Sequence, residues 1–330
     1  MRIAFELSGE HPTLPRADAL AALEAEQVVI RSVSIAPDLL IVDAARPPRR
    51  ALERVSLSRY VDRVLAIGPL PSVLRAAGRV SLASEGFRVR AHARFSPEEK
   101  RDLERRVGDV MDRKGRVDLE HPDREFRLLR YGGTFLFGEA LFEVERSAME
   151  ARKVARRPFS MPISLHPKLA RALVNLSRCP RRGRILDPFC GTGGIAIEAA
   201  RLGMDVFASD LQDKMVRGTA GVLDHYGLRG TSFVADVGDV RSHLTDVDAI
   251  ATDPPYGRAT STRGEPLAAL YRRAFSAFRS LLPVGGYAAV VLPSPEAVRI
   301  GEEYLSLEEA HTLRVHKSLD RTFCAFIRSR

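Results

Sequence analysis

Arg184-Ile185-Leu186-Asp187-Pro188-Phe189-Cys190-Gly191-Thr192-Gly193-Gly194 runs from a short apolar strand into a glycine-rich turn. Residues 195–202 then carry apolar side chains on a 3.6-residue period, which predicts a helix. Strand, glycine loop and helix in this order open a doubly wound α/β fold of the Rossmann type. Missing Cβ atoms let the loop backbone approach a ligand closely. Asp205-Val206-Phe207-Ala208-Ser209-Asp210 reads as the second strand. Its terminal Asp210 falls about 20 residues beyond the first acid, where a ribose-binding carboxylate belongs. A dinucleotide fingerprint would be G-x-G-x-x-G, with pyrophosphate at the helix start. Here an acid, Asp187, precedes Gly191, Gly193 and Gly194. A carboxylate there repels a pyrophosphate and pairs with an ammonium. S-adenosylmethionine carries an α-ammonium and no phosphate, so it is the expected cofactor. Asp187, Phe189, Gly191, Thr192, Gly193, Asp210, Leu211, Asp236 and Val237 form the expected cofactor-binding set. Asp236 ends a third strand candidate, where related folds use an acid for the adenine amino group.

Downstream, Asp253-Pro254-Pro255-Tyr256, followed by Gly257, ends the apolar run 247–252. The two prolines fix φ and remove two backbone donors, so the segment is stiff and extended. Asp253 and an unpaired carbonyl can accept both hydrogens of an exocyclic amino group, and Tyr256 offers a face on which a base can stack. By itself the tetrad also suits a proline-rich turn bearing a surface tyrosine. Behind the glycine loop, in strand order, it indicates amino-group methylation of a nucleobase. Asp253, Pro254, Pro255 and Tyr256 are therefore the expected catalytic residues, with no metal required.

The two motifs resemble motifs I and IV of Rossmann-fold RNA N2-guanine methyltransferases. Leu7-Ser8-Gly9-Glu10-His11-Pro12-Thr13-Leu14-Pro15 and the stretch 210–218 narrow the resemblance to the archaeal tRNA guanosine-N2 methyltransferases that modify position ten. The resemblance implies a ferredoxin-like segment over 1–62, a THUMP RNA-binding segment over 63–145, a basic linker over 146–165 and the methyltransferase domain over 166–330. It implies tRNA as partner, and N2-methylguanosine or N2,N2-dimethylguanosine as product. It also implies a monomer, with no obligate protein partner evident. Pro162-Ile163-Ser164-Leu165-His166-Pro167 matches a family segment that packs over the cofactor, with His166 structural. The loop 316–321 is similar to one near the target, with Asp320 in place of the family's usual threonine. Three rival readings stay open: an adenine-N6 DNA methyltransferase, a non-catalytic tRNA-binding protein, and an enzyme for another guanosine of tRNA or rRNA.

Composition fits an RNA enzyme. The chain has 330 residues, 45% of them apolar, and a net charge of +9. Length suits two or three domains. Excess positive charge suits a polyanion, through phosphate neutralisation and counterion release. No apolar run approaches the ~20 residues of a membrane span, and no signal-peptide pattern opens the chain, so a cytoplasmic location is expected. Cys179, Cys190 and Cys324 lack metal-ligand spacing. In the front half, β-α-β-β-α-β over 1–67 predicts a ferredoxin-like arrangement with helices over 17–25 and 52–59. Ser96, Pro97 and Glu99 predict the start of a helix over 97–111. Gly132-Gly133 predicts a hairpin between 125–131 and 134–143. Within the linker, Arg152, Lys153, Arg156 and Arg157 are expected to contact RNA phosphates.

Overall fold

The computed structural model describes residues 1–83, 85–92, 94–112, 115–161, 164–257, 264–316 and 319–330, without the side chains of 315, 316 and 319. Ala93, Pro162, Ile163, Lys317 and Ser318, each part of an expected segment, lie outside the described residues. The chain forms two compact units. The first comprises 1–9, 28–53 and 58–144; the second comprises 10–27, 54–57 and 145–330.

The first unit is one eight-stranded sheet. Its strands are β1 (Arg2–Leu7), β2 (Ile30–Ala36), β3 (Leu39–Ala44), β4 (Ser58–Gly68), β5 (Gly86–Ala91), β6 (Arg116–Val117), β7 (Arg124–Tyr131) and β8 (Thr134–Glu143). Their order is β2-β3-β1-β4-β8-β7-β5-β6. Helices Leu70–Ala77 and Pro97–Met111 bury Val73, Ala77, Leu103, Val107 and Met111 against Phe87, Phe126, Leu128 and Phe137 of the sheet. Ser96 and Glu99 form the expected reciprocal cap: the Ser96 hydroxyl accepts from Glu99 N at 3.2 Å and the Glu99 carboxylate from Ser96 N at 2.8 Å. β4 runs unbroken through residues 62 and 63, and the expected helix over 52–59 ends instead at Arg54. Ser58 already pairs with Leu7, so ladder hydrogen bonds outweigh the helical period there.

The second unit is doubly wound. Its strands are β9 (Arg184–Asp187), β10 (Asp205–Asp210), β11 (Thr231–Val234), β12 (Ala249–Thr252), β13 (Tyr287–Leu292), β14 (Ser306–His316) and β15 (Leu319–Ile327), in the order β11-β10-β9-β12-β13-β15-β14. β9 to β13 are parallel, and β15 lies antiparallel between β13 and β14. Both faces are covered, which is why these strands are near-continuous apolar runs. One face sends Ile185, Ala249, Ala251, Ala289 and Val291 against Leu173, Ile197 and Val222. The other sends Leu186, Ile250, Ala288 and Val290 against Tyr271, Phe275 and Phe278.

Helix Leu14–Ala25 belongs to this second unit, although sequence order places it in the front half. Its Asp18 is fully buried and accepts from Ser56 N at 2.8 Å, Leu57 N at 2.8 Å and Asn175 Nδ2 at 2.7 Å. Arg54, also buried, donates to the Cys179 carbonyl at 2.8 Å and to Glu26 at 3.0 Å. These bonds tie residues 10–27 and 54–57 to helix Pro167–Leu176. The helix expected over 17–25 as part of the ferredoxin-like segment is thus committed to the second unit.

Candidate active site

In a doubly wound sheet ligands bind where the strand order reverses, outside the carboxyl ends. Here that point lies between β9 and β12, paired through Ala249–Ile185 and Ile250–Leu186. Asp187 ends β9, and Asp253 directly follows β12, so the two acids share one rim. Thr252 bridges them: its hydroxyl donates to Asp187 Oδ1 at 2.7 Å. Phe189 N donates to the same oxygen at 3.3 Å. Asp187 is 3% exposed, and its Oδ2 has no partner. Burial raises its pKa to about 7, with Asp253 and Asp210 pushing the same way. A buried carboxylate with one orphan oxygen calls for a cation. An ammonium group would meet that need.

The remaining expected cofactor residues sit along the same rim. Asp210 accepts from Gly191 N at 3.1 Å and from Gln212 N at 3.0 Å, and burial raises its pKa. Leu211 and Asp236 line a 720 Å³ cleft with Val234, Ala235, His243 and Glu265. Asp236 accepts from Gly238 N at 2.8 Å and is gripped by Arg273, which also bonds Glu265 at 2.7 Å. The Val237 side chain instead packs into the core.

The glycine loop departs from the sequence expectation at two positions. Space left by the absent Cβ of Gly193 is taken by Thr219, whose Cγ2 and Oγ1 lie 3.1 and 3.2 Å from the ideal Cβ position. Space at Gly194 is taken by the Arg157 guanidinium, with Nη1 at 2.9 Å. Both glycines therefore admit the chain's own supporting side chains. Thr219 is fully buried, and its hydroxyl also donates to the Gly191 carbonyl at 3.1 Å. Gly191 and Gly193 have φ of +49° and +75°, the left-handed region that favours glycine. Thr192, 5% exposed, has its hydroxyl 2.7 Å from that of Ser164. His166 caps helix Pro167–Leu176 by accepting from Lys168 N at 3.3 Å.

At the tetrad, Pro254 is buried, and Asp253, Pro255 and Tyr256 are half-buried. The Tyr256 hydroxyl donates to Asp253 Oδ1. The Tyr271 hydroxyl donates to the Pro255 carbonyl at 2.8 Å. Burial raises the Asp253 pKa to about 6, opposed by the Arg321 charge and the Tyr256 hydrogen bond. The Arg321 guanidinium carbon lies 5.7 Å from the Tyr256 ring centroid.

The basic run of the linker is split. Arg152 and Arg157 are each 5% exposed, whereas Lys153 and Arg156 are on the surface. Arg152 pairs with buried Glu198 at 2.9 Å, and Arg157 Nε donates to the Arg152 carbonyl at 2.9 Å. Arg152 and Arg157 are thus internal struts, correcting their assignment as RNA contacts. A charge run alone does not reveal that a single acid 41 residues or more downstream will draw its members inward.

Comparison with known proteins agrees with this geometry. Residues 154–322 match the UPF0020 family, described as RMKL-like, methyltransferase domain. The chain is 34% identical to the tRNA (guanine(10)-N2)-dimethyltransferase of Methanothermobacter thermautotrophicus, covering 97% of this chain and 98% of that protein. It is 32% identical to the protein of the same name from Pyrococcus abyssi, over 96% and 97%. The chain belongs to the archaeal tRNA guanosine-N2 methyltransferase family. The fold of this family member also matches the crystal structure of TrmN from Thermus thermophilus, with TM-score 0.54 and 24% identity over 99% of this chain and 100% of that one.

Proposed function

We propose that this protein transfers a methyl group from S-adenosylmethionine to the exocyclic N2 of a guanosine in tRNA, at position 10. The position rests on the names of the archaeal relatives. The observation that carries the reaction is the placement of Asp187 and Asp253 on one rim, joined through Thr252. N2-methylguanosine is the product, with N2,N2-dimethylguanosine where the pocket admits a methylated nitrogen. The ferredoxin-like reading of the first segment draws support from the order β2-β3-β1-β4, with its end after β4 instead of at 62; the THUMP reading of the segment up to 145 rests on the family resemblance. These two segments would serve tRNA capture, with exposed Arg156 of the linker as an added phosphate contact. The described helices include none long and apolar enough to cross a membrane. A tRNA substrate favours a cytoplasmic location, and the monomer rests on the family resemblance.

Bound S-adenosylmethionine supplies an electrophilic methyl group on a sulfonium. Asp187 would hold its ammonium, Asp210 its ribose and Asp236 its adenine. The tetrad does the rest. Tyr256 supports the extruded base, at a cost of a few kcal/mol for unstacking. The Asp253 carboxylate and the Pro254 carbonyl accept the two N2 hydrogens. That fixes the direction of a nitrogen lone pair otherwise delocalised into the ring, and orientation lowers the barrier. Asp253 then takes the proton that N2 must lose.

Asp253 can accept only when ionised. Its pKa is raised to about 6, so activity depends on pH in a defined direction. Below pH 6 kcat/KM is expected to fall about tenfold per unit, and above pH 7 to level off. An Asp253→Asn variant is expected to lose that limb. A wild-type profile flat between pH 5 and 7 would remove Asp253 as the acceptor. The reaction itself is checked by mass spectrometry of nucleosides from unmodified tRNA incubated with the protein and S-adenosylmethionine. A methyl on guanine N2 supports the proposal; N6-methyladenosine or no modification overturns it.

A further inference from the structure

We infer that Arg321 reads the O6 atom of the target base and makes the amino-group clamp selective for guanine over adenine. This deepens the reading of the tetrad as an N2-guanine clamp and rests on it. A carboxylate, a carbonyl and an aromatic ring demand only an exocyclic NH2 on a planar base. Adenine N6 and guanine N2 both satisfy them, so selectivity has to come from another group.

The two bases differ beside the amino group. Guanine N2 is followed along its edge by N1–H, a donor, and then by O6, an acceptor. Adenine N6 is followed by N1, an acceptor, and then by C2–H. A carboxylate facing N2 and N1–H suits guanine and leaves O6 in need of a donor. The structure supplies one in place. β15 pairs with β13 through Thr322 and Leu292, and β13 pairs with β12 through Val290 and Thr252. Arg321 therefore lies past the carboxyl end of β13, on the rim that carries Asp253. Its side chain is 9% exposed, with its guanidinium carbon 5.7 Å from the Tyr256 ring centroid. The Tyr256 hydroxyl bonds Asp253, so cation, ring and carboxylate form one cluster. Its charge is felt at Asp253, whose carboxyl it pulls back towards the ordinary range.

Guanidinium donates through five N–H groups and accepts nothing, and arginine is the usual partner of guanine O6. With adenine in the same pose, N1 meets the carboxylate, acceptor against acceptor, and the guanidinium meets C2–H. A carboxylate set against N1, with no O6 to receive a donor, is how the site rejects adenine.

The test is a chemical double-mutant cycle. Ligated tRNA transcripts carry either guanosine or 2-aminopurine riboside at the position that the wild-type protein modifies. 2-Aminopurine keeps the amino group and loses O6. It also loses N1–H, which faces Asp253 and so penalises wild type and variant alike. In the wild type, 2-aminopurine is expected to lower kcat/KM by at least ~10–100-fold. Arg321→Met is expected to cost a similar factor on guanosine and to shrink the guanosine-to-2-aminopurine ratio by roughly tenfold. An unchanged ratio overturns the inference. Arg321→Lys keeps the charge beside Asp253 and a donor for O6, so it is expected to keep the pH profile and part of the selectivity. Arg321→Ala carries the test if Arg321→Met fails to fold, and an unchanged guanosine-to-2-aminopurine ratio in it overturns the inference as well. A wild-type protein that methylates no transcript would sink the proposed function itself.

Discussion

Replacing Asp253 by alanine lowers turnover by ~10²–10⁴-fold, the scale of one positioned acid–base group, while tRNA and S-adenosylmethionine still bind. The size follows from two losses at one atom pair. In the proposed mechanism the carboxylate holds an N2 hydrogen and accepts the departing proton. Its burial makes both roles stronger than they would be in water, since the acceptor oxygen has few competing donors. Alanine also removes the acceptor of the Tyr256 hydroxyl, leaving that group to find another partner beside the base. Asparagine retains one acceptor oxygen and cannot take the proton, so Asp253→Asn is expected to fall between wild type and alanine. Single-turnover methylation with saturating cofactor and tRNA separates chemistry from binding. Turnover of Asp253→Ala within tenfold of wild type would displace the carboxylate from the centre of the reaction.

The rim that carries Asp187 and Asp253 was legible because one acid ends a strand and the other directly follows one, and strand ends are punctuated in sequence. Leu186-Asp187-Pro188 and Thr252-Asp253-Pro254 both pass from apolar run to acid to proline, so both sites can be placed before any contact is known. Helix Pro97–Met111 falls on its expected residues because period and cap agree there. Side-chain partnership across long sequence separations was not legible. Asp18 looks like a solvent-facing helix residue until Ser56, Leu57 and Asn175 converge on it. Thr219 sits inside a helix whose sequence gives no sign that it props the glycine loop. Arg321 could be linked to the target only by resemblance, because a return strand brings it to the rim. The unbroken β4 also escaped notice, since a helical period and a strand period overlap over 52–59 and only pairing with β1 decides between them.

Glu198→Gln is expected to destabilise the second unit by ~3–5 kcal/mol, the cost of breaking a buried ion pair from one side. Glu198 is fully buried, four residues into helix Gly194–Arg201. It receives Arg152 Nε at 2.9 Å and Nη2 at 3.2 Å, and Arg171 Nε at 2.8 Å and Nη2 at 2.7 Å. Two guanidiniums thus share one carboxylate, with exposures of 5% and 8%. Glutamine has the same shape but no charge, and its NH2 turns a donor towards one of them. Arg157, hung from the Arg152 carbonyl and lodged at Gly194, adds a third buried cation to the same neighbourhood. Because the helix starts at the glycine loop, loosening Glu198 is also expected to weaken S-adenosylmethionine binding. Calorimetric unfolding of the full chain reads the first effect, and titration with S-adenosylmethionine reads the second. Lys153→Gln and Arg156→Gln alter exposed members of the same basic run and are expected to leave the transition where it is. A Glu198→Gln transition equally unmoved would show that these arginines do not depend on the carboxylate for their burial.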